Sequence, residues 1–165
     1  MNFKKEILKV FNKKERKEII DYYKVIKLRK EGGNKKVILE KTKISKDRFE
    51  GWIYRKTKPT IVKIFEEFNL RYNKKISPNQ LKDLAYLIGY NLGDGNISQN
   101  FCNSWFYGVY KDLFEIKEVL VRFKVKPVIY KYKIDNGKMA VHDRIFSRFL
   151  FIFGAVRGDK TKNKA

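Results

Sequence analysis

The chain has few residues that crosslink or insert. Cys102 is its only cysteine, which excludes a disulfide framework and a cysteine-based zinc site. No stretch reaches the roughly 18 uninterrupted apolar residues of a membrane-spanning helix. One segment has the small-residue spacing of a packed membrane helix, at Gly89 and Gly93, but Lys82, Asp83 and Asn91 interrupt it. The N-terminus lacks the layout of a signal peptide, so a cytoplasmic location and no membrane partner are expected. There is no internal repeat and no low-complexity tract. Acidic residues are also scarce: 18 Asp and Glu stand against 39 Lys and Arg, a formal net charge of +21.

An excess of that size on 165 residues points to a polyanionic partner, most simply nucleic acid. An anionic membrane surface is the alternative. Hydrophobic residues make up 43% and aromatic residues 15%, so the chain can bury a core and is no disordered tail. Its length suits one ordinary domain or two small ones.

Residues 1 to about 20 read as a basic helical lead-in, with Phe3, Ile7, Val10 and Phe11 as a short apolar stripe. From about Ile19 to Pro59 the pattern predicts three short helices. Ile20, Tyr23, Ile26 and Leu28 mark the first, which Gly32-Gly33 stops. The second covers about Asn34 to Lys41. Lys43-Ile44-Ser45 is the turn, and Ser45 caps a third helix through Arg55. Phe49, Trp52 and Ile53 should face inward there, with Lys46, Asp47, Arg48, Gly51 and Arg55 outward. The unit resembles a helix-turn-helix DNA-binding module. That resemblance makes Lys46 to Arg55 the recognition helix, Lys46, Arg48 and Arg55 its DNA-binding cations, and Gly51 a point of close approach to DNA. A three-helix bundle with a basic surface is the plainer alternative. One more helix is expected from Thr60 to Tyr72, then a linker at Asn73-Lys74-Lys75-Ile76.

The rest of the chain is organised around Leu81 to Gly95. Ser77 is placed to cap the helix, Pro78 suits its first turn, and Gln80 completes a capping box. Leu81, Leu84, Ala85, Ile88 and Leu92 recur at helical spacing. Ala85, Gly89 and Gly93 form a small-residue edge where a second helix could approach closely, offsetting the cost of about 1 kcal/mol for each helical glycine. Asp94 then stands at the negative end of the helix dipole, an unfavourable place for an anion unless a cation meets it. The nonapeptide Leu87-Ile88-Gly89-Tyr90-Asn91-Leu92-Gly93-Asp94-Gly95 resembles the LAGLIDADG motif of homing endonucleases. In that family two such helices pack side by side and each delivers a terminal acid to divalent metal at the scissile phosphates. Asp94 matches the acid; Leu92 stands where the motif name has its first Asp. A buried amphipathic helix closed by a Gly-Asp-Gly turn is the alternative reading.

Beyond Gly95, strands are expected at Asn96 to Phe101 and Trp105 to Tyr110, joined through Asn103-Ser104. A helix follows with Leu113, Ile116, Val119, Leu120 and Phe123. Then come a strand at Val128 to Ile134, a two-residue turn at Asn136-Gly137 and a last helix over Arg144 to Phe153 capped by Asp143. That turn would put Lys131 opposite His142 and Lys133 opposite Ala140. Lys131, Lys133, Lys138 and His142 would then share a basic, DNA-binding face, and Tyr130, Tyr132, Ile134, Met139 and Val141 the core face; an ordinary solvated sheet face is the alternative. Trp105, Tyr107 and Tyr110 are assigned to core or sheet packing in preference to base-stacking platforms, and His142 to a DNA contact in preference to catalysis or metal binding. The α-β-β-α-β-β-α order is that of one LAGLIDADG half, and Phe153 to Thr161 is similar to a segment that follows the first half in archaeal members.

The expected fold class is therefore α+β: an all-α helix-turn-helix module at 1–75, then an αββαββα LAGLIDADG half-saddle at 76–165. The resemblance implies a site-specific, metal-dependent double-stranded DNA endonuclease of homing type, using Mg²⁺ or Mn²⁺. Asp94 and the Gly93 carbonyl would be metal ligands. Lys111, at the end of the second strand, would be an active-site support, or simply a phosphate contact. With one motif per chain, a homodimer through Ala85, Gly89 and Gly93 is implied. The alternative is a DNA-binding protein that does not cut, either a regulator or a truncated or decayed endonuclease.

Overall fold

The computed structural model describes residues 10–72, 76–131 and 134–158. Phe3, Ile7, Lys133, Tyr132, the linker residues 73–75 and the segment from Asp159 onward lie outside them. The chain is mixed α+β, helices first and strands after, and it divides into two compact units between Arg71 and Tyr72.

In the first unit, α1 spans Lys13–Lys30, α2 Lys35–Thr42, α3 Lys46–Ile53 and α4 Thr60–Tyr72. Asn12 caps α1 through a capping box with Glu15, so this helix starts at Lys13 and runs through the break expected near residue 20. Its buried side is Ile19 and Val25, joined by Tyr22 and Leu28, while Ile20 and Tyr23 are exposed. Gly32 adopts φ +84°, the left-handed turn that only glycine enters freely, and ends the helix as predicted. Lys43 takes the left-handed position of the next turn at φ 55°, and Ser45 accepts from the Arg48 amide to cap α3. Val25, Ile38, Phe49 and Trp52 form the core that binds α1, α2 and α3.

In the second unit, α5 spans Pro78–Asp94, β1 Gly95–Ile97, β2 Ser104–Val109, α6 Tyr110–Arg122, β3 Pro127–Lys131, β4 Asn136–Val141 and α7 Arg144–Ile152. The antiparallel sheet has the order β1-β2-β4-β3. The Ser77–Gln80 capping box is present. β1 is shorter than expected, because Ser98 to Asn103 form a hydrogen-bonded turn that leaves Ser104 in β2. Alternation then places Ser104, Phe106, Met139 and Val141 on one face, where α5 and α6 pack. The buried Ser104 and Ser147 hydroxyls meet at 2.8 Å and tie α7 to that face. Residues 156–158 run parallel beside β1: Ile97 donates to the Val156 carbonyl and Gly158 to that of Ile97. That segment covers an otherwise open sheet edge.

The hairpin register overturns the prediction. Asn136 and Gly137 lie in β4 and form no turn, and Lys131 pairs with Gly137 instead of His142. The offset of five positions is odd, so β3 is flipped relative to the predicted pairing. Tyr130 shares a face with Lys138, and Lys131 belongs with Ile129 and Met139 on the other.

Candidate functional site

The capping box and Pro78 fix where α5 begins, and its seventeen residues end on Asp94, which is exposed. The helix presents two different sides. Leu84, Leu87 and Asn91 are buried, and Asn91 Oδ1 accepts from the Val156 amide at 2.9 Å. Leu81, Ala85, Gly89, Leu92 and Gly93 are exposed, and among the described residues nothing beyond the helix's own neighbouring backbone lies within 4 Å of where a Cβ on Gly89 or Gly93 would sit. The predicted stripe is thus split: Leu84 is buried, while the small-residue edge is uncovered among the described residues of this unit.

Gly95 has a different task from the other glycines of the motif. Its backbone is extended, at φ −138°, so conformation does not demand glycine. A Cβ there would come within 2.7 Å of the Trp105 carbonyl and 2.9 Å of the Asn91 Cα. Glycine lets the chain leave α5 and enter β1 without a connecting loop, which fixes the helix tip against the sheet.

Around that tip, Tyr90 donates its hydroxyl to the Tyr107 carbonyl at 2.8 Å. Burial pushes this phenol up to about 12, and the nearby Asp112 and Asp94 carboxylates push the same way. Among the described residues no group of three or more His, Cys, Asp or Glu side chains is gathered to hold a metal ion. One chain offers the tip a carboxylate and a nearby backbone carbonyl, hard oxygen donors that suit Mg²⁺ or Mn²⁺. Mg²⁺ commonly takes only one or two protein carboxylates and completes its shell with water and substrate phosphate. The single tip supplies that donor set only in part.

Lys111 is the second residue of α6, not the last of a strand, since β2 ends at Val109. It is exposed and lines a shallow cleft with Tyr110, Lys131 and Asp135. The Lys131 ammonium lies 5.6 Å from the centre of the Tyr110 ring, so Lys131 joins Lys111 and is separated from Lys138 and His142.

Lys138 and His142 do share a face, but with aromatic neighbours in place of the expected lysines. The register sets Trp105, Tyr107, Val128 and Tyr130 on this outer side. Lys138 Nζ sits 4.9 Å from the Trp105 ring centre and 5.6 Å from that of Tyr130. His142 Nδ1 lies 2.6 Å from Asn103 Oδ1. A carbonyl oxygen only accepts, so Nδ1 donates there, and Nε2 lies 3.3 Å from the Tyr130 hydroxyl. Trp105 and Tyr107 are thus half-buried on the sheet's outer face and do not belong to the core. The missed signal was Phe106: once it points inward, its two neighbours must point outward.

In the first unit, Lys46, Arg48 and Arg55 are all exposed. α3 ends at Ile53, so Arg55 lies just beyond the helix, where its guanidinium donates to the Asp47 carbonyl at 3.3 Å. Arg48 reaches Glu18 at 4.0 Å. Lys35 donates to Glu50 at 2.7 Å and holds that carboxyl below its ordinary value. Gly51 does not face outward as predicted: it is buried, its carbonyl accepts from the Thr57 amide, and a Cβ would meet the Thr57 hydroxyl at 3.0 Å. Glycine here lets the chain fold back over the end of α3.

No protein-family model matches the chain, and no curated protein or solved structure is significantly similar to it. Among the described residues no helix is long and apolar enough to cross a membrane.

Proposed function

We propose that this chain is a site-specific, divalent-metal-dependent endonuclease of double-stranded DNA, of the LAGLIDADG homing type, working as a homodimer. The observation that carries the reading is α5: an exposed Asp94 at its tip, together with an open edge at Ala85 and Gly89. Two such edges in contact would bring two Asp94 carboxylates close together. At 4 Å and an effective dielectric near 20, the pair would repel by about 4 kcal/mol before hydration and screening. Bound Mg²⁺ or Mn²⁺ would remove that repulsion and stabilise charge on a scissile phosphate. On this reading Asp94 and the Gly93 carbonyl hold the metal, Lys111 neutralises phosphate nearby, and the helix-turn-helix unit grips DNA through Lys46, Arg48 and Arg55.

A non-cleaving DNA-binding protein is the second reading, favoured by the lack of a gathered metal-ligand set among the described residues. Two measurements separate them. Asp94→Asn should abolish Mg²⁺-dependent nicking while leaving duplex affinity within a few-fold. Gly89→Leu should shift the sedimenting species from dimer to monomer. Nicking that survives Asp94→Asn, or a wild-type chain that is monomeric with and without DNA, would reject the cleaving dimer.

A further inference from the structure

The outer face of the sheet does not suit the reading of an intact duplex. Side chains that read base edges in the major groove are long and polar. Here the register turns outward Trp105, Tyr107 and Tyr130 around one lysine, with Asn103 and His142 hydrogen-bonded at the border. No acidic residue occupies an outward position of the four strands. Tyr130 is 40% exposed and neighbouring Val128 43%, so both side chains are open on this face of the unit. Rings beside a cation, with no acid at an outward strand position, match a strand whose bases are unpaired: each base offers a π-face and each phosphate a negative charge.

We propose that this face binds single-stranded nucleic acid by stacking unpaired bases on Trp105 and Tyr130. Their ring centres are 6.4 Å apart and their planes inclined by 44°, so the two rings present separate platforms to successive splayed bases. The Lys138 ammonium lies over both rings. An arriving base displaces it, and the ammonium moves to the phosphate that follows. The cation–π contact thus holds the lysine where it is needed and keeps the apolar rings partly covered until a strand arrives. The inference goes beyond duplex cleavage and does not depend on it.

The chain has two tryptophans, and Trp52 is buried in the other unit. Titration with an oligothymidylate of roughly 12 nucleotides, without divalent metal, should therefore quench the emission of Trp105. Trp105→Ala should weaken single-strand binding by roughly 5- to 150-fold, the worth of one stacked base. Affinity for a duplex of equal length should change by less than about three-fold. Trp105→Phe, which keeps a ring, should abolish the quench and retain most of the affinity. Tyr130→Ala provides a second test at an exposed position should Trp105→Ala fail to fold. The proposal is overturned if single-strand affinity is unchanged in the alanine variants, or if duplex affinity falls equally. Absence of any quench or single-strand binding would also overturn it and leave the face to a protein partner.

Discussion

Glycines carry much of the architecture around Asp94, and each does so for a separate reason. At Gly95 two backbone atoms occupy the space a Cβ would need, and backbone cannot swing aside as a flexible side chain can. Gly95→Ala should therefore cost about 1–3 kcal/mol, the usual penalty for overpacking. At Gly89 that space is empty. Gly89→Ala should stabilise an isolated chain by up to about 1 kcal/mol, because glycine is the poorer helix former. In a dimer closed through this edge the same methyl group would stand between two helices. Thermal unfolding measured at low and high protein concentration checks both: a gain at low concentration that becomes a loss at high concentration marks Gly89 as an interface residue. A loss at both concentrations would mean that the α5 edge is covered within its own chain.

Between elements, the seating of α5 on the sheet depends on one phenol and one absent side chain. Tyr90 reaches beneath β2 to the Tyr107 carbonyl, and a Cβ on Gly108 would overlap the Tyr90 hydroxyl. Gly108→Ala should expel that hydroxyl and lose a hydrogen bond worth about 0.5–1.5 kcal/mol. Tyr90→Phe removes both the hydrogen bond and the clash, since the next ring atom stands at 3.5 Å, an ordinary contact. The double variant should therefore be much less destabilised than the sum of the two single ones, which a double-mutant cycle in urea measures directly. Burial of the same phenol has a pH signature. A phenol raised to about 12 in the folded state contributes fully below its unfolded value near 10, and its contribution is lost as pH rises through about 12. Tyr90→Phe should lack that component of alkaline unfolding.

Local signals in the sequence read well at this level because they act within one turn of chain. The Ser77–Gln80 capping box, the stop at Gly32 and the Ser45 cap each depend on residues three or four apart. Strand register depends on the opposite strand and on the helix beneath it, neither of which is local. Asn136-Gly137 is a strong two-residue turn sequence. In the fold, Gly137 instead leaves room for α6: a Cβ there would meet the Tyr130 carbonyl at 3.0 Å and the Leu113 side chain at 3.2 Å. Placing Lys131 opposite Gly137 carried Tyr130 to the outer face and Lys131 off it. The position of Asp94 was legible because it follows from helix length, whereas the neighbours of Lys138 were not, because they follow from register.

Across the whole molecule the dominant quantity is charge. The +21 excess includes exposed cations of α3 and its flank in the first unit and Lys111, Lys131 and Lys138 in the second. If both units hold phosphate, duplex affinity must fall linearly with the logarithm of salt concentration, by about 0.9 in slope for each phosphate neutralised. Lys46→Ala, Arg48→Ala and Arg55→Ala combined should then lower the slope by about 2 to 3, with the full figure needing all three to reach phosphate. Two of them engage their own protein in the free chain, Arg48 with Glu18 and Arg55 with the Asp47 carbonyl. Those contacts are long and exposed, and pairs of this kind are worth about 0–1 kcal/mol, so they yield readily to a phosphate. Lys138→Ala should leave most of the duplex slope intact and instead lower the single-strand slope, by about 0.7 for its one phosphate. Equal effects of the α3 and Lys138 changes on both substrates would mean that the charge acts as one diffuse field, with no division of labour between the two units.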